Sequence, residues 1–363
     1  GGWRRLTAGG PFLTQPVWSP DGRWIVLSDK EMKLNLVEVA SGAVSVIDRG
    51  EVDDAWERWG IQDYVWSPDS RFIAYTKMEP SLYESIFVYS MATRTSTRVT
   101  DEWTNDWSPS FSPDGRFLYF LSNRSFNPVM GFVDQSHVFL DMTLPYLAIL
   151  RSGEPSPFAP AAGGAGGEQP GPEKNATKGV KEDAEKPVEV VIDLPGIADR
   201  IVPAEGVEPG NYFRLEATDG GFLYLAKTAN EFLKYQTVDD RTAGELELHH
   251  YDLDEREAKK LMDGIANYHL SADGARLVYR AGSSIGIVDT GAEATAGDGE
   301  VALDDVKIKV TKLEEFEQIF DEAWRIQRDW FYDPGMHGVD WDAIGEKYRR
   351  FVPSCGNRAD LNY

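Results

Sequence analysis

The sequence predicts an all-β propeller of four-stranded blades, visible as a partial ring of about five repeats, followed by a short α-helical segment. Three observations carry that expectation. A hairpin motif returns at intervals in the forties, each interval holds four short β-rich runs, and near residue 311 the apolar period switches from two to that of a helix.

The motif is an aromatic residue followed by Ser-Pro-Asp. Trp18-Ser19-Pro20-Asp21-Gly22-Arg23-Trp24-Ile25 is echoed by Trp66-Ser67-Pro68-Asp69-Ser70-Arg71-Phe72-Ile73 and by Phe111-Ser112-Pro113-Asp114-Gly115-Arg116-Phe117-Leu118. Weaker copies begin at Leu270 and Thr218. Asp21, Asp69 and Asp114 are spaced by 48 and 45 residues, and Asp219 and Asp273 by 54. That period suits a propeller blade and is too long for a leucine-rich or ankyrin unit. Pro pre-sets φ for a turn, and Gly accepts the positive φ that closes it, so these aspartates read as scaffold.

Within a repeat, Pro16–Trp18 and Trp24–Leu27 flank the turn, Leu34–Val39 or Ile86–Tyr89 follows, and Ala43–Ile47 or Ser96–Thr100 completes four strands. Trp3–Thr7 reads as the last strand of an earlier blade, so the ring is expected to begin upstream of Gly1. From about 159 to 187 the composition collapses to Gly, Ala, Glu, Lys and Pro, which cannot bury enough apolar surface to offset ordering entropy. Blade-like sequence resumes at Val188–Ile192, and the last β-like run is Val306–Val310.

Leu313, Phe316, Phe320, Ala323, Trp324, Gln327 and Phe331 then step by three and four, giving one helical face. Thr311 with Glu314 predicts a capping box, and Pro334-Gly335 a stop. A second helix is expected near Asp340, carrying Trp341, Ile344, Tyr348 and Phe351 inward, and a third from Asn357 with Asp360. The domains are therefore 1–310, the propeller with its insertion, and 311–363, the start of a second, helical domain.

Net charge is -23. That disfavours nucleic acid, anionic membranes and acidic peptides. No apolar stretch approaches the roughly 18 residues of a membrane helix. The start, Gly1-Gly2-Trp3, lacks an initiator Met and a leader, so targeting information is expected to lie upstream. One cysteine, Cys355, fits a reducing compartment.

Candidate chemistry is sparse. Gly282-Ser283-Ser284-Ile285-Gly286 matches G-x-S-x-G, but a nucleophile elbow needs a strand followed by a helix, and strand-like runs flank it on both sides. Ser284 is expected in a hairpin. His137, His249, His250, His269 and His337 show no ligand spacing; His249 and His250, adjacent in a strand, face opposite ways. His337 lies between two amphipathic helices with no acid or nucleophile placed beside it in sequence. No Cys pair, phosphate loop or HExxH occurs, so neither metal nor cofactor is expected. The carboxylates are spread over every repeat and single out no acid/base pair.

The run Phe316–Asp329, then Phe331-Tyr332-Asp333-Pro334 and Met336-His337-Gly338-Val339-Asp340-Trp341, resembles the helical entry to the serine-peptidase core of the tricorn protease family. Thr104-Asn105-Asp106, Phe126-Asn127-Pro128-Val129 and Pro155-Ser156-Pro157-Phe158 resemble that family's second propeller, which is seven-bladed. The resemblance implies a cytoplasmic, homo-oligomeric, hexameric serine peptidase whose propeller guides peptide or unfolded polypeptide substrates to the active site. It also implies that the catalytic histidine and serine lie beyond Tyr363, so no catalytic residue is assigned here and the chain alone is expected to be inactive. The repeats equally resemble TolB-like propellers. The alternative is thus a stand-alone propeller that binds a protein partner; separately, because the native N-terminus is not present, an exported or periplasmic location is the alternative to a cytoplasmic one. Helices bearing Trp324, Trp330 and Trp341 favour the peptidase.

Limited digestion with a nonspecific protease should cut first within residues 160–186, before any blade turn. Mass spectrometry of the early fragments decides it; blade turns cleaved while this segment stays whole would contradict the composition argument.

Overall fold

A computed structural model gives the architecture; it describes residues 4–7, 12–52, 60–125, 128–130, 137–139, 141–159, 188–227 and 246–363. The insertion at 160–187 therefore lies outside the described residues.

Five antiparallel sheets follow one another along the chain. The first holds β1 (Leu13–Trp18), β2 (Trp24–Asp29), β3 (Lys33–Glu38) and β4 (Val44–Arg49) in that order. The second holds β5 (Ile61–Trp66), β6 (Phe72–Met78), β7 (Glu84–Ser90) and β8 (Thr95–Arg98). The third begins with β9 (Asp106–Phe111) and β10 (Phe117–Ser122), then is interrupted by a separate hairpin of β11 (Pro128–Met130) and β12 (His137–Phe139). It is completed by β13 (Leu144–Ile149) and β14 (Ile201–Pro203). The fourth is β15 (Tyr212–Thr218), β16 (Gly221–Ala226), β17 (Leu246–Asp252) and β18 (Glu257–Ile265). The fifth has three strands, β19 (Asn267–Leu270), β20 (Arg276–Ala281) and β21 (Ser284–Asp289), with only a bridge from Gly286 to Glu300 where a fourth would lie.

The motif builds the first hairpin of the first, second, third and fifth blades by the same bonds. Ser112 Oγ donates to Asp114 Oδ1 at 2.6 Å and accepts from the N–H groups of Arg116 and Phe117 at 3.1 and 2.9 Å. Ser19, Ser67 and Ser271 likewise donate to Asp21, Asp69 and Asp273. The closing residue is left-handed in every copy: Gly22, Gly115 and Gly274 at φ near 70°, and Ser70 at 63°. Glycine adopts that φ freely. Ser70 supports it by accepting the N–H of Asp21 from the blade before.

Blades pack face to face, so their central strands are buried on both sides. β10 and β16 are buried at every position, which is why Phe117–Ser122 reads as a continuous rather than alternating apolar run. Four core clusters lie between successive blades: around Leu36, Trp66 and Tyr75 for the first pair, Ile86, Phe120 and Ala148 for the second, Tyr119, Phe222 and Tyr251 for the third, and Leu225, Leu248 and Tyr279 for the fourth. No such cluster among the described residues joins the fifth blade to the first. Trp18 is 55% exposed where its repeat counterpart Trp66 is 8% exposed, because no further described blade lies against the outer face of the first one, where Leu6 packs only on Ile25, Leu27 and Val37.

Helix α1 (Lys312–Trp330) crosses α2 (Trp341–Arg349), and α3 (Arg358–Asn362) packs beside them. The indoles of Trp324 and Trp341 each donate to the other residue's backbone carbonyl, at 2.9 and 3.1 Å. Gly345 is required there: a Cβ would lie 2.6 Å from Trp324 Nε1. The edge of Phe12 meets Trp330 and its face meets Arg325, tying the helices to the approach to β1. Among the described residues no helix is long and apolar enough to cross a membrane.

Several expectations need correction. Val188–Ile192 is not a strand: Val190 is buried and its N–H donates to Asp69, while the sheet takes Ile201–Pro203 instead. Val306–Val310 is extended but unpaired, with Val306, Ile308 and Val310 exposed, so alternation there had no sheet to join. Arg4–Thr7 forms no strand; the Arg4 guanidinium instead donates to the carbonyls of Val39 and Ala40. Thr311 is the N-cap of α1 but makes no side-chain cap, whereas the third helix, expected from Asn357 with Asp360, opens on a complete capping box. Tyr348 and Phe351 are exposed rather than inward.

Ser112→Ala should cost about 1–3 kcal/mol, because it strands buried donors of the turn. Ser271→Ala, in an exposed copy of the same turn, should cost under about 1 kcal/mol. Urea unfolding of the two variants measures both; equal losses would remove the special role of the buried turn.

Candidate functional site

The first strand of every blade faces a common space. A cavity of about 1580 Å³ is lined by Gln15–Val17 of β1, Gln62–Val65 of β5, Trp107–Ser110 of β9, Phe213–Thr218 of β15 and Asn267, His269 and Leu270 of β19. Its walls are thus contributed by all five blades.

One backbone device repeats along those walls. In β1, two residues lie unpaired between Thr14, opposite Ser28, and Val17, opposite Val26. The same irregularity falls between Gln62 and Val65, between Trp107 and Ser110, and between Phe213 and Glu216. The first unpaired residue is left-handed each time: Gln15 at φ 49°, Asp63 at 51°, Ser108 at 52° and Arg214 at 44°. A non-glycine residue there costs of order 1 kcal/mol or more, so the surrounding bonds must hold it. Tyr64 Oη donates to Gln15 O at 2.7 Å, the Ser108 N–H donates to Asp63 Oδ2 at 3.0 Å, and Tyr268 Oη donates to Arg214 O at 2.9 Å. Each bond joins one blade to the next. Burial pushes the Tyr64 and Tyr268 hydroxyls up, so both remain donors at neutral pH.

A charged cluster sits on this frame. Arg214 donates to Glu216 Oε1 through Nε and Nη2 at 3.1 and 3.0 Å, meets the His269 ring, and lies over Tyr268. His269 Nδ1 is 3.2 Å from Glu216, and the Leu270 N–H donates to the other carboxylate oxygen at 3.0 Å. Burial alone would raise the Glu216 carboxyl, but His269, Arg214 and the Leu270 N–H outweigh it and hold it below its ordinary value. Asp63 behaves oppositely. Lumen water reaches it, yet protein surrounds it closely enough that desolvation raises its pKa, against the smaller pull of the Ser108 N–H and of Arg214. The lining includes five carboxylates, Asp63, Glu84, Glu216, Asp219 and Asp273, against one arginine, so its field favours cations.

Of the residues singled out from sequence, His269 alone among the described ones lies in this cluster, and Ser284, His249, His250 and His337 lie elsewhere. Ser284 opens β21 after a hairpin turn and donates to Glu300 at 2.7 Å, so the elbow is absent as expected. His249 pairs with Glu247 and stacks on Tyr224, while His250 meets Thr218 across the strand. His337 is exposed, left-handed at φ 54°, and bonded to the Tyr332 hydroxyl, with Asp333 accepting its backbone N–H. Sequence reasoning missed Asp63, Arg214 and Glu216, and gave His269 no role. A signal existed for one of them: Gln15, Asp63 and Ser108 each precede the motif aromatic by three residues, a register that repeats with the blades.

Comparison with known proteins gives two family matches. Residues 7–291 match the tricorn protease second β-propeller domain, and residues 313–363 match the tricorn protease C1 domain. Tricorn protease homolog 1 of Streptomyces coelicolor is 31% identical over 366 residues, covering 99% of this chain and 33% of that protein. Tricorn protease of Thermoplasma acidophilum is 26% identical, covering 94% and 30%. The crystal structure of the tricorn protease superposes with a TM-score of 0.75 at 25% identity, covering 96% of this chain and 32% of that one. The chain spans about a third of the length of these relatives.

The opposite shifts give opposite pH dependences. Glu216, with its folded pKa lowered, adds stability at neutral pH that is lost as pH falls through that pKa, below about 4.5. Asp63, with its folded pKa raised, favours the folded state below 3.8 and loses that contribution as pH rises through the raised value. Glu216→Gln should therefore lower Tm at pH 7, and Asp63→Asn should raise it, with both differences shrinking toward pH 3.5. Scanning calorimetry from pH 3.5 to 7.5 tests both signs.

Proposed function

Since the chain belongs to the tricorn protease family, we propose that it is the propeller and core-entry segment of a serine peptidase, and that its axial channel admits peptides to an active site outside these residues. The observation that carries this reading is the cavity lined by the inner strands of all five blades, in a chain whose helical segment matches the C1 domain. A lumen of about 1580 Å³ has room for a short extended peptide, and its walls offer backbone and side-chain polar groups without any hydrolytic set.

Amide hydrolysis needs an activated nucleophile, a base within hydrogen-bond reach and donors aimed at the oxyanion. Among the described residues no serine hydroxyl is hydrogen-bonded to a histidine ring. The chain spans about a third of the length of its relatives, which supports assigning the hydrolytic groups outside these residues and this chain to delivery. A cytoplasmic, homo-oligomeric, hexameric particle acting on peptide or unfolded polypeptide follows from the same reading. The stand-alone binding propeller is less well supported, because α1, α2 and α3 match the tricorn protease C1 domain.

The 363-residue chain should leave fluorogenic peptides uncut, while the full-length protein cleaves them; Ser284→Ala and His337→Ala in the full-length protein should keep kcat within about threefold, a change under 1 kcal/mol in barrier. Hydrolysis by the short chain that Ser284→Ala abolishes would move the active site into the propeller and end this assignment.

A further inference from the structure

Arg214, Glu216 and His269 form a cluster whose hydrogen bonds depend on one proton. Arg214 Nη2 lies 2.7 and 2.6 Å from Nδ1 and Nε2 of His269, and Nδ1 lies 3.2 Å from Glu216 Oε1. A guanidinium only donates, so the ring nitrogen that meets it must present a lone pair. One neutral tautomer satisfies both neighbours, with Nδ1–H directed to Glu216 and Nε2 accepting from Arg214. An imidazolium cannot, because both of its nitrogens carry hydrogen. Protonation therefore removes the acceptor and sets two like charges at contact, while it strengthens the bond to Glu216. The arginine backbone cannot yield: its left-handed φ of 44° is pinned by Tyr268 Oη, which donates to Arg214 O at 2.9 Å. The response falls to the side chain, held on the wall by two bonds to Glu216 and by the Tyr268 ring.

We propose that His269 is a proton-operated latch on Arg214: a neutral ring holds the guanidinium on the wall between the fourth and fifth blades, and a protonated ring releases it into the lumen. Two unit charges about 3 Å apart in a water-like dielectric disfavour the latched position by about tenfold. Among the described residues the charged groups facing the ring are Arg214 and Glu216 of β15. Asp273, in the turn after β19, is occupied by Ser271 Oγ and the Ala275 N–H. Asp63 of β5 feels the field of Arg214 and is the partner open to the released guanidinium. Acidification thus unmasks a cation in a lumen whose lining is otherwise rich in carboxylates. The latch is a property of the lumen wall and stands whether or not peptides pass through it.

Nuclear magnetic resonance of the isotope-labelled 363-residue chain tests the latch, following the Arg214 guanidinium and the His269 ring from about pH 8 to about pH 5. Arg214→Lys and His269→Gln identify the two sets of signals. In the unaltered chain the Arg214 signals should move in step with protonation of the His269 ring, as the latched population falls about tenfold. Glutamine at 269 does not titrate, and its amide can accept from Arg214 and donate to Glu216. Arg214 should therefore stay fixed across the range in His269→Gln. Crystals at the two ends of the range should show the contact between Arg214 and His269 intact at the upper pH and broken at the lower. Crystals alike at both ends, Arg214 signals that stay still while the ring titrates, or a ring that stays neutral throughout would each overturn the latch. Equal movement of Arg214 in His269→Gln would transfer the effect to Glu216 or Asp63 and overturn it as well.

Discussion

The organisation of this molecule depends on one backbone constraint, the left-handed residue in the inner strands of the first four blades. Opposing two residues to one bends the strand and turns two side chains out of the ladder. At Gln15, Asp63, Ser108 and Arg214 the first of them borders the lumen. The second, or a residue from the next blade, reaches across to brace the neighbour: Tyr64 for Gln15, Tyr268 for Arg214. The strain and the bonds that hold it are therefore shared between blades. A lone blade would have no means of keeping this geometry, and the lumen wall exists only because blades stand beside one another.

The same interdependence governs packing. Both faces of β10 and β16 are apolar, so each blade needs a partner on either side. The consequence is visible where a partner is lacking, in the exposure of Trp18, Val44 and Val46 on the first blade and of Val278 and Ile287 on the fifth. The helices follow a different rule. They hold to each other through the reciprocal indole–carbonyl bonds of Trp324 and Trp341 and touch the propeller through Phe12. Their junction is specific in shape, since Gly345 leaves no room for a side chain beneath the Trp324 indole.

The electrostatics of the lumen divide in two. Around Glu216 the charges are matched, and the carboxylate is stabilised by the groups it faces. Around Asp63, which is open to the lumen, protein crowding raises the carboxyl against the weaker pull of Ser108 and Arg214.

What the sequence by itself determined is the part governed by local chemistry. The Ser-x-Asp turn closes on its own N–H groups within five residues, so Trp18–Ile25 and its copies announced their hairpins, and Asn357 with Asp360 announced a helix start. The hairpin around Ser284 and the opposite faces of His249 and His250 were legible for the same reason. Where pairing depended on a distant partner, local pattern misled: Val306–Val310 alternates like a strand but finds no described edge, and Val188–Ile192 gives way to Ile201–Pro203 as the outer strand of its blade. The site belonged wholly to the tertiary structure. Asp63 and Ser108 are 45 residues apart, and Arg214 and His269 are 55 apart, and only ring geometry sets them against each other. Charges that interact across blades leave no local trace in the chain, because their energies depend on distance in space and on the water the assembled lumen admits.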